Sequence, residues 1–216
     1  MLVIGIAGGV ASGKSLVTRC FQHFGATVLD ADQIGHEVLQ QAVLIQRIVD
    51  HFGDGILCDG KIDRGRLAHI VFAKAPTGPS ALKKLEAITH PEIGKQINRR
   101  LELAWQDPNC QACVLDAPVM FKAGWDKLCN RMVFVDAPVG IRIKRASKRG
   151  WDDDELAKRE TNQISVEIKR NQATDIIDNS LTKETTFQQA VKTWLAWGLD
   201  LTRELQQPSS FFIPKT

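Results

Sequence analysis

The residues best suited to chemistry stand near the start of the chain: Gly8-Gly9-Val10-Ala11-Ser12-Gly13-Lys14-Ser15. Glycines at this spacing let the backbone bend closely around an anion, so that successive N–H groups face inward. A helix opening directly after the loop points its positive end at the same anion. Lys14 is then placed to reach the outer phosphates of a polyphosphate, and the Ser15 hydroxyl to ligate magnesium. An ordinary glycine-rich turn is the bland alternative, and the flanks decide against it. An apolar run, Leu2-Val3-Ile4-Gly5-Ile6, precedes the loop and a helix-compatible stretch, residues 16–24, follows it. Strand, glycine loop and helix is the context that a phosphate cradle requires.

Other side chains could complete such a site. Asp30 and Asp32 open the segment after a short β-rich run. Either could cap a helix, and either could serve as the general base that takes a proton from an acceptor hydroxyl; one pair can meet both needs. Asp116 closes Cys113-Val114-Leu115, where a carboxylate can hold magnesium directly or through water, or simply sit in a turn before Pro118. Arg142, Arg145 and Arg149, spaced three and then four apart, would share one helical face, with Lys144 and Lys148 alongside. Gly150 can stop that helix, and Asp152 with Glu155 can start the next. A solvated basic face is the commoner meaning of such a run. Behind a phosphate loop, a lid that closes arginines over the transferring group is favoured, because one lysine does not neutralise it. His36 lies one helical turn after Asp32 and could line an acceptor site, whereas His90, before Pro91, reads as a boundary residue. Cys110 and Cys113 form the one C-x-x-C pair. They precede a strand instead of opening a helix, so they read as small apolar residues.

The elements that must position these groups alternate between β-rich and helical runs. Strands are expected at residues 2–6, 27–29, 112–115, 132–135 and 176–177, each ending on an informative residue. That pattern predicts an α/β chain with the three-layer P-loop NTPase fold: a five-stranded parallel sheet, a helical acceptor-binding insertion and a helical lid. Ligands in such sheets bind beyond the carboxyl ends of the strands. The core is expected over residues 1–32, 109–140 and 172–206, the insertion over 33–108 without strands, the lid over 141–171 and an irregular tail over 207–216. The chain's 216 residues suffice for a sizeable core, the +3 net charge points to no particular partner, and five cysteines without scaffold spacing suit a reducing cytoplasm. Neither a leader peptide nor a membrane-spanning run is expected.

These motifs, in this order, resemble the dephospho-coenzyme A kinase family. The likeness rests on residues 8–15, Asp30-Ala31-Asp32 with His36, Phe52-Gly53, Asp59-Gly60 with Asp63-Arg64, and Val71-Phe72. It continues through His90-Pro91, Asp116-Ala117-Pro118 with Phe121, Gly124-Trp125, Arg145, Arg149, Gln163, Lys169, Asp175 and Ile177-Asp178-Asn179. The resemblance implies transfer of the ATP γ-phosphate to the ribose 3′-hydroxyl of dephospho-coenzyme A, with Mg2+ assisting. It implies Asp32 as the base, with Lys14 and the lid arginines Arg145 and Arg149 stabilising the transferring group, and Arg142, on the same expected helical face, is expected to join them. Gly9, Ala11, Ser12, Gly13, Lys14, Ser15, Leu16 and Asn179 are the implied ATP contacts. Asp32, His36, His90 and Asp116 are the implied acceptor contacts, and Ser15 and Asp116 the implied metal ligands. The expected state is a cytoplasmic monomer with no nucleic-acid or membrane partner. The sequence departs from the family where Gln40-Gln41-Ala42 replaces a usual Pro-Gly, Lys122 a usual Glu, Gly94 a frequent Arg, and Arg142 a frequent Gln. The alternatives are another P-loop kinase, such as a nucleoside monophosphate kinase, and a GTP-binding switch suggested by Asp32-Gln33-Ile34-Gly35. The switch lacks a guanine-reading Asn-Lys-x-Asp motif.

Replacing Lys14 by alanine should weaken ATP binding roughly ten- to hundredfold, the cost of losing a charged hydrogen-bond donor, and should lower turnover as well. Calorimetric titration with ATP checks this; unchanged affinity contradicts the loop assignment.

Overall fold

The computed structural model describes residues 1–74, 76–161, 163–202 and 205–212. In chain order the elements begin with β1 (Leu2–Gly8), α1 (Lys14–His23), β2 (Thr27–Asp30), α2 (Ala31–Val38) and α3 (Ala42–Phe52). A small hairpin, β3 (Leu57–Cys58) and β4 (Lys61–Ile62), precedes α4 (Arg64–Val71) and the long α5 (Thr77–Gln106). Then follow β5 (Ala112–Asp116), α6 (Met120–Ala123), β6 (Arg131–Asp136), α7 (Val139–Ser147), α8 (Asp153–Thr161), α9 (Val166–Asn171), β7 (Asp175–Asp178), α10 (Lys183–Ala196) and α11 (Pro208–Phe212). The chain divides into two compact units: Met1–Leu29 with the part from Leu103 onward, and Asp30–Glu102.

The first unit is built on a five-stranded parallel sheet of order β2-β5-β1-β6-β7, the α/β class that the alternating pattern predicts. Its registers place Ile6 beside Asp116, Gly8 beside Val135 and Asp136 beside Asp178, so the strand ends carrying the loop and the carboxylates lie along one edge. Burial of β1 from Val3 onward explains its run of apolar residues: a central parallel strand is covered on both faces. In α1 the apolar stripe of Leu16, Val17, Cys20 and Phe21 turns inward against Phe187, Val191 and Trp194. Phe21 and Phe24 lie 5.8 Å and 5.7 Å from the Trp194 ring, so the helix behind the phosphate loop is held by aromatic packing.

The tail differs from expectation in part. Residues 213–216 lie outside the described residues, but Pro208–Phe212 forms a short helix in place of an irregular segment. Proline suits the first helical position, and the apolar pair at its end has somewhere to go. Phe211 packs 5.2 Å from Phe187 and 5.4 Å from His23, and Phe212 lies 6.1 Å from Phe187.

In the second unit the buried face runs through Ile34, Val38, Leu44, Ile48, Ile56, Leu67, Ile88, Ile93 and Ile97. Two features differ from the strandless, repeatedly broken segment that the sequence suggests. Asp59-Gly60 is the centre of a β-hairpin turn, with both residues at positive φ (51° and 72°), the conformation that a two-residue Asp-Gly loop favours. His90-Pro91 lies inside α5 and ends no helix. Ile88, Ile93, Ile97 and Leu101 keep one buried stripe continuous across the proline, and that packing outweighs one lost backbone bond. Among the described residues no helix is long and apolar enough to cross a membrane.

Phe211→Ala should lower stability by about 1–2 kcal/mol, shifting the melting temperature down by several degrees. A thermal melt unchanged by the substitution would show that the terminal helix contributes nothing to the core.

Candidate active site

The phosphate loop, residues 9–13, turns from β1 into α1 through two left-handed residues, Ala11 (φ 60°) and Gly13 (φ 97°). Gly13 caps α1 without a side-chain hydrogen bond, and the first turn of α1 contains no acid. The helix therefore offers its first N–H groups to an external anion. The Gly13 position admits no other residue. A Cβ there would stand 2.0 Å from Asn179 Nδ2, and the backbone angle is strained for any L side chain.

Three groups far away in sequence hold the loop's outward-facing carbonyls. Asn179 Nδ2 donates to Ser12 O at 2.7 Å, and Arg145 donates to the same oxygen at 2.9 Å and to Asn179 O at 2.7 Å. Asn179 is itself fixed by the Thr186 hydroxyl on its Oδ1 at 2.8 Å and by its own N–H on Asp136 O at 2.8 Å. Arg142, buried, donates to Val10 O at 3.4 Å and forms an ion pair with Glu160. Lys14 arches back over the loop, with Nζ donating to Gly9 O at 3.0 Å and Gly8 O at 3.3 Å.

Of the three arginines expected on one helical face, α7 carries only two. It ends at Ser147, so Arg149 lies beyond it, exposed, 5.5 Å from the Trp151 ring. Gly150 at φ 76° follows, and Asp152 caps α8 by accepting from Glu155 N at 2.7 Å, as the sequence suggests. Val10 and Ala11 pack with Ala146, Leu156, Ile143 and Trp151, so this helical hairpin rests against the loop.

Beside Gly9 and Val10 opens a cavity of about 560 Å³, walled also by Glu160, Gln163, Ser165 and Lys169. Lys169 is almost wholly buried and donates to Gln163 Oε1 at 2.5 Å. Burial, then the nearby charge of Lys14, pulls its pKa down to about 8. Lys14 is likewise depressed, first by burial and then by Arg142 and Arg149, while Asp116 opposes the shift. Asp116, at the end of β5, accepts from the Thr18 hydroxyl at 3.1 Å, one helical turn beyond the exposed Ser15. Glu160 and Thr186 carry no motif in the sequence, and only folding shows that they brace Arg142 and Asn179.

In the second unit, Asp30 and Asp32 divide the roles open to them. Asp30 Oδ1 accepts from Asp32 N at 2.9 Å and Gln33 N at 3.1 Å, capping α2. The Asp32 carboxylate accepts no hydrogen bond among the described residues. Its pKa is raised by the surrounding protein first and by Asp30 second, with His36 and Arg64 opposing. His36 is exposed in the last turn of α2, and His90 is half-buried in α5.

A parallel sheet, a glycine loop feeding an uncapped helix, and lysines and arginines gathered on that loop define a P-loop phosphotransferase. The family model described as dephospho-CoA kinase matches residues 2–184. The dephospho-CoA kinase of Bacillus licheniformis is 37% identical over 199 residues, 89% of this chain and 96% of its own length. That of Corynebacterium diphtheriae is 34% identical over 197 residues, 90% of this chain and 96% of its own. Among solved structures, a Thermus thermophilus protein superposes with a TM-score of 0.75 at 30% identity, covering 91% of this chain and 97% of that one. The Campylobacter jejuni dephospho-CoA kinase shares the fold, with a TM-score of 0.60 at 24% identity over 90% of this chain and 96% of its own. The chain belongs to the dephospho-CoA kinase family.

Lys169 gives the fold a distinctive pH dependence. Between pH 8 and 10.5 the unfolded chain keeps this lysine protonated while the folded chain sheds the proton. The unfolded state then binds more protons, so this group adds stability as pH rises through that window. Buried Cys20 and half-buried Cys129, raised to about 12, act in the opposite sense. The wild-type minus Lys169→Met difference isolates the lysine. In urea melts it should grow by about 2 kcal/mol in favour of wild type from pH 8 to 10, and a constant difference contradicts the assignment.

Proposed function

We propose that the chain transfers the γ-phosphate of ATP to the ribose 3′-hydroxyl of dephospho-coenzyme A, releasing coenzyme A and ADP. Membership of the family supports the reaction. The observation that carries the assignment of the base is the division of labour at residues 30–32: Asp30 is committed to the helix cap, and Asp32 keeps a free carboxylate. Asp32 orients the acceptor hydroxyl and takes its proton as the oxygen attacks phosphorus.

On the nucleotide side, the amides of residues 9–16 bind the polyphosphate, and Lys14 exchanges its bonds to Gly8 O and Gly9 O for phosphate oxygens. Arg142, Arg145 and Asn179 act through the loop carbonyls that they hold, while exposed Arg149 reaches the transferring group. His36 and His90 line the acceptor site. The donors available for magnesium fit that ion. Ser15 supplies a hydroxyl and Asp116 a carboxylate, a sparse set of the kind Mg2+ uses when phosphate and water fill its remaining positions. When bound, the ion neutralises charge on the polyphosphate.

Incubation with ATP, magnesium and dephospho-coenzyme A should add one phosphate to the acceptor, read by mass spectrometry. Transfer to a nucleoside monophosphate instead would favour the other P-loop kinases. Asp32→Asn should keep ATP affinity within about twofold and cost roughly 10²–10⁴ in kcat. Wild-type kcat/KM should fall on acidification with an apparent pKa above that of an ordinary aspartate, and the variant should lack that limb. Near-normal turnover in the variant removes Asp32 from the role.

A further inference from the structure

The sheet's other edge carries a feature that phosphotransfer does not use. Met1 leads into β1, and Cys113 sits in β5 opposite Val3. Cys110 occupies the turn before β5, its N–H bonded to Asp107 O at 3.1 Å. These three residues bring their sulfurs together. Met1 Sδ lies 3.7 Å from Cys110 Sγ and 3.7 Å from Cys113 Sγ, and the two thiols are 4.0 Å apart. A point equidistant from all three lies about 2.2 Å from each, close to the ~2.3 Å of a metal–thiolate bond.

We propose that Met1, Cys110 and Cys113 form a trigonal site for copper(I). Two thiolates with a thioether are a soft donor set, which favours copper(I) over the harder divalent ions. Zinc prefers four ligands, commonly from cysteine and histidine, and no group of three or more His, Cys, Asp or Glu suited to a metal occurs among the described residues. Cys113 is buried, while Cys110 and Met1 are partly exposed, so the site is sheltered on one side and accessible on the other. The Thr27 hydroxyl lies 3.5 Å from Cys110 Sγ, where it can donate to a thiolate and orient it. Binding replaces two S–H bonds by two Cu–S bonds and releases two protons to solvent, with the metal remaining copper(I). Because binding releases thiol protons, affinity should rise with pH. The seven residues of β1 separate Met1 from the phosphate loop, about 23 Å of strand, so the site stands independently of the kinase assignment.

The test is anaerobic titration of the full chain with the copper(I) acetonitrile complex, using bicinchoninate as the competing chelator. One equivalent of copper(I) should be withdrawn from the chelator. Cys110→Ser and Cys113→Ser should weaken binding roughly hundredfold or more, and exposed Cys58→Ser should leave it unchanged. Cys110 is only partly buried, so its variant keeps the test valid if Cys113→Ser fails to fold. Copper-edge X-ray absorption on the loaded protein should show three sulfurs at about 2.2–2.3 Å. A two-sulfur shell, wild-type affinity in Cys110→Ser, or no withdrawal of copper from bicinchoninate would overturn the proposal.

Discussion

The peptide oxygen of Ser12 is where the nucleotide site meets the rest of the protein. A loop that turns its N–H groups toward an anion must turn carbonyls the other way, and buried carbonyls need donors. Here Arg145, 133 residues along the chain, and Asn179, 167 residues along, both supply one to this oxygen. Asn179 depends on Thr186 from α10 and on Asp136 from the end of β6. The shape of the cradle is thus set by the sheet's carboxyl edge, not by the glycines alone. The glycines permit the path; the distant donors select it.

The same region concentrates cations in a partly dry environment. Lys14, Arg142, Arg145 and Lys169 surround one loop, and desolvation depresses three of them, Lys14, Arg145 and Lys169. Glu160 and Asp116 offset part of this repulsion. Such a cluster is unfavourable by itself, and its charge suits a polyanion. A stable loop and a strained charge distribution coexist because different atoms of the same arginines do different things. Guanidinium N–H groups satisfy carbonyls while the positive field still reaches the site.

Much of this was legible in the sequence. The five strands of the sheet, the phosphate loop and the start of α8 follow from local pattern, because each is decided within a few residues by apolar alternation, glycine or a cap. Longer-range facts were not legible. The Asp59-Gly60 pair signals a turn, but whether it breaks a helix or closes a hairpin depends on what its flanks pair with. Pro91 marks a boundary by local rule, yet a buried stripe on either side carries α5 through it. Arg142 and Arg145 read as lid residues that close over the transferring group, because spacing cannot reveal that their partners are carbonyls of Val10 and Ser12. Glu160, Thr186 and the docking of Phe211 leave no motif at all, since each acquires its role only from a tertiary neighbour.

The central claim, that backbone amides braced from behind receive the polyphosphate, is tested most directly by amide NMR of the loop. Adding ATP and magnesium should shift the N–H resonances of residues 9–16 and slow their hydrogen exchange, with smaller changes at Asn179, whose bonds are already made. Loop amides that neither shift nor gain protection at saturating nucleotide would contradict the account.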